Sequence, residues 1–246
     1  MFTVSQRDAL RERVLRLADE DERIVAGAAV GSLALGDGDR FSDLDLTFAV
    51  ADGVAISGVL DDWTEKLARE LGAIHLTGLV RDPTVYRVFL LPEALQFDLS
   101  LTPTARFRPA GPRFQLLFGE TVGDAELPRP PVAEDLFGWG VIYALHSRSC
   151  IGRGRLWQAE HYVGTVRDHA LSLACLQHGV SAVQARGHDD LPSDELARFA
   201  GTHVESLDPA ALRRALAATV RELLRGGENA DLAHAPAVAA RLAELV

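Results

Sequence analysis

Cysteine is scarce in this chain: Cys150 and Cys175 are the only two among 246 residues. They form no Cys-x-x-Cys pair and no Cys/His metal spacing. Two thiols cannot build a disulfide framework, so two free, buried cysteines in a reducing compartment are expected. No apolar run reaches the length of about 20 residues that a membrane span needs. The first residues, MFTVSQRDALRERVLRL, lack the apolar core and small-residue cleavage site of a secretory signal. A soluble, cytoplasmic protein without a membrane partner is therefore expected. Positive charge is short as well: 25 Lys and Arg stand against 35 Asp and Glu, a formal net charge of −10. That balance argues against broad nucleic-acid binding, which depends on neutralising phosphates. It suits a cationic small molecule and also serves solubility. Lys66 is the only lysine and carries no chemical reading. No internal repeat and no low-complexity tract is present.

What the chain does have is a 48% apolar share, enough to bury a core without covalent staples. Ser5 reads as an N-cap, with Leu10, Val14 and Leu17 on one face behind it, so a helix is predicted over 5–20. The acidic run at 19–22 reads as a solvated helix end. Strands are predicted over 24–30, 43–50, 73–80, 84–91 and 95–101, with a helix over 58–71 between the second and third. Residues 102–131 hold clustered prolines and read as a connector or an irregular domain edge. Beyond them the pattern is helical, with helices predicted over 133–151, 154–178, 193–200, 209–225 and 235–245. Asp208 and Pro209 mark the start of the fourth of these as N-cap and first helical residue. The expected fold is α+β: a small mixed sheet flanked by helices in a domain over 1–125, then an all-α bundle over 126–246.

The chemistry concentrates at residues 31–50. Gly31 and Ser32 end one apolar run, and Asp43 and Asp45 follow, separated only by Leu44. In an extended segment, side chains two apart share a face. Two carboxylates held side by side repel each other unless a cation lies between them. Asp98 sits in LQFDLSL, where Leu95, Phe97, Leu99 and Leu101 take one face and Gln96, Asp98 and Ser100 the other. Aspartate is disfavoured in strands. If this strand pairs beside the one carrying Asp45, three carboxylates converge. Such a set of hard oxygen donors suits magnesium accompanied by phosphate oxygens. A glycine at a strand end lets a ligand approach the backbone, and nearby N–H groups and the Ser32 hydroxyl can hold a phosphate.

Gly-Ser, a spacer, Asp-x-Asp and a later single Asp on a strand together resemble the nucleotidyltransferase superfamily of the polymerase-β type, over roughly residues 28–101. The stretch RGRLWQAEHYVGTVRDHALSLACLQHG, residues 153–179, more loosely resembles the C-terminal helices of small bacterial nucleotidyltransferases that adenylylate aminoglycosides or lincosamides. The resemblance implies that Asp43 and Asp45 bind magnesium, two ions accompanying ATP, and that Gly31 and Ser32 hold the β and γ phosphates. It implies that Asp98 completes the metal site or serves as general base; the choice of base between Asp98 and Glu160 stays open. The implied reaction moves AMP from ATP to a hydroxyl of a small, cationic acceptor of antibiotic type and releases pyrophosphate. A transferase that modifies a protein and a non-catalytic nucleotide-binding module are the alternatives, and a monomer and a homodimer are both compatible.

Within the helix predicted over 154–178, Arg153, Glu160 and Arg167 recur every seven residues and fall on one face. Trp157 and Gly164 flank Glu160. Glu160 beside an indole suits a cationic sugar by charge and stacking; an interhelical ion-pair face with Trp157 in the core is the competing reading. Gly164, a costly residue in a helix interior, is read as room for a ligand or another helix. His161, His169 and His178 form no His-x-x-x-His metal pair and read as core or surface histidines.

Overall fold

A computed structural model describes residues 2–36, 38–109, 111–125 and 129–243. The chain divides into two compact units, Met1–Pro128 and Arg129–Val246. The boundary expected at 125/126 abuts positions 126–128, which lie outside the described residues.

The first unit is a six-stranded mixed sheet with two helices. It opens with α1 (Val4–Asp19) and β1 (Ile24–Val30). A 3-10 turn over Gly31–Leu35 leads to β2 (Leu44–Val50), α2 (Ile56–Leu71) and β3 (Ile74–Arg81). Then come β4 (Thr84–Leu91), β5 (Leu95–Pro103) and β6 (Phe114–Phe118). Spatial order is β3-β4-β5-β2-β1-β6. Only β2 and β5 are parallel; the other neighbours are antiparallel.

Local chemistry explains most boundaries. The N-cap of α1 is Thr3, not Ser5: Thr3 Oγ1 accepts the Gln6 N–H at 3.2 Å, and Gln6 Oε1 accepts the Thr3 N–H at 2.7 Å. This reciprocal pair satisfies two otherwise orphaned donors. The capping pair needs its Gln three residues on, which Thr3 has and Ser5 does not. The run at 19–22 is not simply solvated. Asp21 accepts the Trp63 indole N–H at 2.9 Å and the Arg23 Nε–H at 2.8 Å, tying α2 to the strand entry. Val59, Leu60, Trp63 and Leu67 on α2 and Val14 and Leu17 on α1 are all buried against Leu44, Leu46, Phe48, Phe97 and Leu99 of the central strands. Gly27 lets aromatic rings pack directly on β1, because a Cβ there would run into Phe118 and Phe48.

β6 lies inside the stretch read as an irregular connector. It pairs with β1 in the register Val30↔Phe114 and Ala29↔Gln115. Its five residues carry little local signal, and pairing with a distant strand creates it.

The second unit is helical: α3 (Ala133–Gly152), α4 (Leu156–His178), α5 (Ser193–Arg198), α6 (Pro209–Asn229) and α7 (Ala235–Leu242). Asp208 caps α6 by accepting the Ala210 and Ala211 N–H groups at 2.9 and 3.1 Å. α6 runs past the expected stop at 225, through Gly226 and Gly227. Those glycines are packing sites rather than a terminus: a Cβ at Gly227 would strike the Phe137 ring, and one at Gly226 would crowd Leu173 at 3.1 Å. The last helix, expected over 235–245, is seen to Leu242, and positions 244 and 245 lie outside the described residues. Phe137, Val163, Val166, Leu173, Leu212 and Leu223 form this unit's core. Arg225 pairs with Glu195 and, at 2.9 Å, with Glu222, which joins α5 to α6. Both cysteines are free and buried. Among the described residues no helix is long and apolar enough to cross a membrane.

Candidate metal and nucleotide site

Strand alternation sends Leu44, Leu46, Phe97 and Leu99 into the helix-covered core, each with no exposed surface. The residues between them must then face the opposite side of the sheet. Parallel pairing of β2 with β5 sets Asp45 directly beside Asp98. Asp43 precedes β2 by one residue and reaches the same patch. Ligand oxygens of Asp43, Asp45 and Asp98 all lie within 4.8 Å of one another, and the three residues are half-buried. Burial, and to a lesser extent the Asp43 charge, push the Asp98 carboxyl above its ordinary value; the Gln96 amide, donating to Asp98 Oδ1 at 2.9 Å, opposes them. Three carboxylates held this close offer hard oxygen donors, and a divalent cation relieves their repulsion. The donor set fits magnesium.

Gly31 contributes differently from what its position in the sequence predicts. Its φ is +71°, a region that favours glycine, and a Cβ there would run into Asp45 Oδ2. Its N–H is already engaged, donating to the Arg113 carbonyl at 3.2 Å. Glycine at this position makes room for the Asp45 carboxylate, and its own N–H does not point to a phosphate. Ser32 follows in the first turn of the 3-10 segment and is half-buried.

Two supporting residues escaped sequence reasoning. Arg7 on α1 is 3% exposed, and its Nη1 donates to the carbonyls of Asp39 at 2.5 Å and Ser42 at 3.3 Å. It fastens the segment that delivers Asp43. Within that segment the Phe41 N–H and the Ser42 hydroxyl hold the Asp39 carboxyl below the usual carboxylate range. Nothing local marks Arg7, because an arginine on a helix reads as solvated. Gln96 was legible in principle, since it shares the polar face of β5 with Asp98.

The remaining candidates belong to the second unit. Arg153 does not continue the face of α4. It is the C-cap of α3, its N–H donating to the Ser149 and Cys150 carbonyls, and the chain turns at Gly154 before α4 begins. The seven-residue repeat therefore breaks, leaving Glu160 and Arg167 on α4. Trp157, in the first turn of α4, is 78% exposed and not in the core. Glu160 is half-buried one turn later. Gly164 is not forced by a neighbouring helix: a Cβ there would meet only Arg167 Nη2, at an ordinary 3.6 Å. His161 and His178 are exposed, and His169 Nδ1 lies 2.8 Å from the Thr165 carbonyl.

No family model matches this chain, and no curated protein does. Among solved structures it is similar to an aminoglycoside 6-adenyltransferase from Bacillus subtilis, at 14% identity and a TM-score of 0.38, covering 88% of this chain and 86% of that one. At that TM-score the likeness bears no weight for function.

Proposed function

We propose that the protein is a magnesium-dependent nucleotidyltransferase that moves AMP from ATP to a hydroxyl of a small, cationic acceptor of aminoglycoside or lincosamide type. The observation that carries this reading is the convergence of Asp43, Asp45 and Asp98 within 4.8 Å on one sheet face, beside a glycine whose missing side chain admits Asp45. Asp43 and Asp45 would hold the metal with the triphosphate, with Asp98 completing the set. Bound magnesium supplies charge neutralisation on the phosphates and fixes their geometry, which is most of what phosphoryl-type transfer requires.

The chain's own groups do the rest. Asp98 would accept the proton of the attacking hydroxyl through a carboxylate oxygen not given to the metal. That oxygen then bonds to the α-phosphorus as the bond to pyrophosphate breaks. Ser32 would donate its hydroxyl to a phosphate oxygen. Arg7 positions Asp43 through the loop carbonyls. On the helical unit, Trp157 and Glu160 are three residues apart on one helix and therefore neighbours. They offer a ring face and a negative charge to a cationic acceptor, with Arg153 nearby in sequence.

The test is pyrophosphate release from ATP and magnesium across a panel of aminoglycosides and lincosamides. Release with at least one acceptor, together with a mass gain of one AMP on it, supports the proposal. ATP binding without release from any acceptor favours a regulatory module. A nucleotide adduct on cellular proteins favours a protein substrate. Absence of both release and ATP binding overturns the reading.

A further inference from the structure

The helical unit contains a cavity of about 420 Å³ that shares no residue with the carboxylate cluster. Its size is in the range of small-molecule sites. Its lining is apolar at Leu171, Leu196 and Phe199 and polar at Arg167, His188, Asp189 and His203. Two features of the polar lining lack an internal explanation. The Nε2 atom of His188 is buried and has no hydrogen-bond partner. Among the described residues Arg167 is joined to no carboxylate by an ion pair, although it lines the cavity. A buried polar atom left unpaired costs about 1–3 kcal/mol, and native structures rarely leave one without a reason.

Part of the lining is also strained. Gln184 and Ala185 are consecutive non-glycine residues in the left-handed region, with φ of 54° and 59°, and Ala185 lines the cavity. Such backbone is unfavourable for residues with a side chain and tends to be held where a ligand is held. Burial lowers the proton affinity of His188, against the charges of Asp168 and Asp189, which raise it. Arg167 and Asp189 bring one charge of each sign to the lining.

We propose that this cavity binds a small organic monoanion, a carboxylate whose head meets Arg167 while a compact apolar body lies against Leu171, Leu196 and Phe199. Arg167 supplies a planar fork that matches a carboxylate. The neighbouring Asp189 disfavours a phosphate dianion.

The test uses the full chain without nucleotide, so its outcome is independent of nucleotidyl transfer. Benzoate, hexanoate and 4-phenylbutyrate are titrated by calorimetry, with inorganic phosphate and benzamide as comparisons. Ring C–H resonances of His188 and His203 are followed in parallel. The expected result is saturable binding of at least one carboxylate that shifts both histidines, and binding of benzamide about tenfold weaker or less. Arg167→Gln is expected to weaken the carboxylate about tenfold or more. Arg167→Lys recovers part of that loss, and Ala200→Phe, which fills the cavity, abolishes binding. Circular dichroism confirms that the variants fold. No saturable carboxylate binding overturns the proposal. Affinity unchanged in both Arg167→Gln and Ala200→Phe, or tighter binding of phosphate than of any carboxylate, does so too.

Discussion

Asp43 and Asp45 are chemically alike but are delivered differently, one by a loop and one by a strand, and both are needed if a divalent ion is to be held. Replacing either with Asn keeps the shape and removes one negative charge. Asp43→Asn and Asp45→Asn are each expected to lower pyrophosphate release by about a hundredfold or more. The thermal unfolding midpoint of Asp43→Asn is expected not to fall, because one of three crowded charges is gone. Activity retained in either variant refutes its metal role. Asp21 shows the opposite case, a carboxylate whose charge is satisfied inside the protein. Hydrogen bonds from Arg23 and, less strongly, from Trp63 hold it at about 2 against an ordinary value of 3.8. A lowered value in the folded state means that the stabilisation is present in full above about pH 4 and is lost as the pH falls toward 2. The difference amounts to roughly 2 kcal/mol. Urea unfolding at pH 5 and at pH 2 is expected to show a smaller loss for Asp21→Asn than for the parent protein.

At the scale of elements, the strand pair β2–β5 and the helix α1 together build the candidate site. β2 and β5 set Asp45 against Asp98 by register. α1 fixes the Asp43 loop through Arg7, which is buried with its charge directed at two carbonyl oxygens. Arg7→Met preserves much of the apolar stem and leaves those carbonyls without their donor. A stability loss of about 1–3 kcal/mol is expected in denaturant unfolding. If the loop presents Asp43 to the reaction, kcat is expected to fall more than KM rises, a split that a purely structural role would not produce. The cap of α1 and the run of α6 show the two ways in which element boundaries departed from the sequence pattern. Thr3 won over Ser5 because only Thr3 has a Gln three residues on. α6 continued through Gly226 and Gly227 because Phe137 and Leu173 fill the space that their side chains would have taken.

The whole molecule has separate cores, each assembled from residues of its own unit. Leu223 lies in the helical core, where its side chain occupies the space above Gly140. Leu223→Ala is expected to cost about 3 kcal/mol. Hydrogen exchange is expected to show that loss in α3, α4 and α6, while amides of β2 and β5 keep their protection. Lost protection throughout the sheet would contradict separate cores. The balance between sequence and structure follows from the range of the forces involved. Apolar periodicity, caps and the alternation around Asp45 and Asp98 act over a few residues, so helices, five strands and the carboxylate face of each strand were legible from the chain itself. Which strands become neighbours is decided by burial across long sequence separations, and no local pattern encodes it. Only the tertiary structure placed Asp98 against Asp45, added β6 to the sheet and buried Arg7 under the Asp43 loop. It also gave Gly31 the task of clearing space for a carboxylate. The Asp-x-Asp pair and the polar face of the Asp98 strand determined by themselves which carboxylates could hold a cation. Close packing of the folded chain decided how those atoms meet, because side chains from distant segments can share a few ångströms only once the core between them is filled.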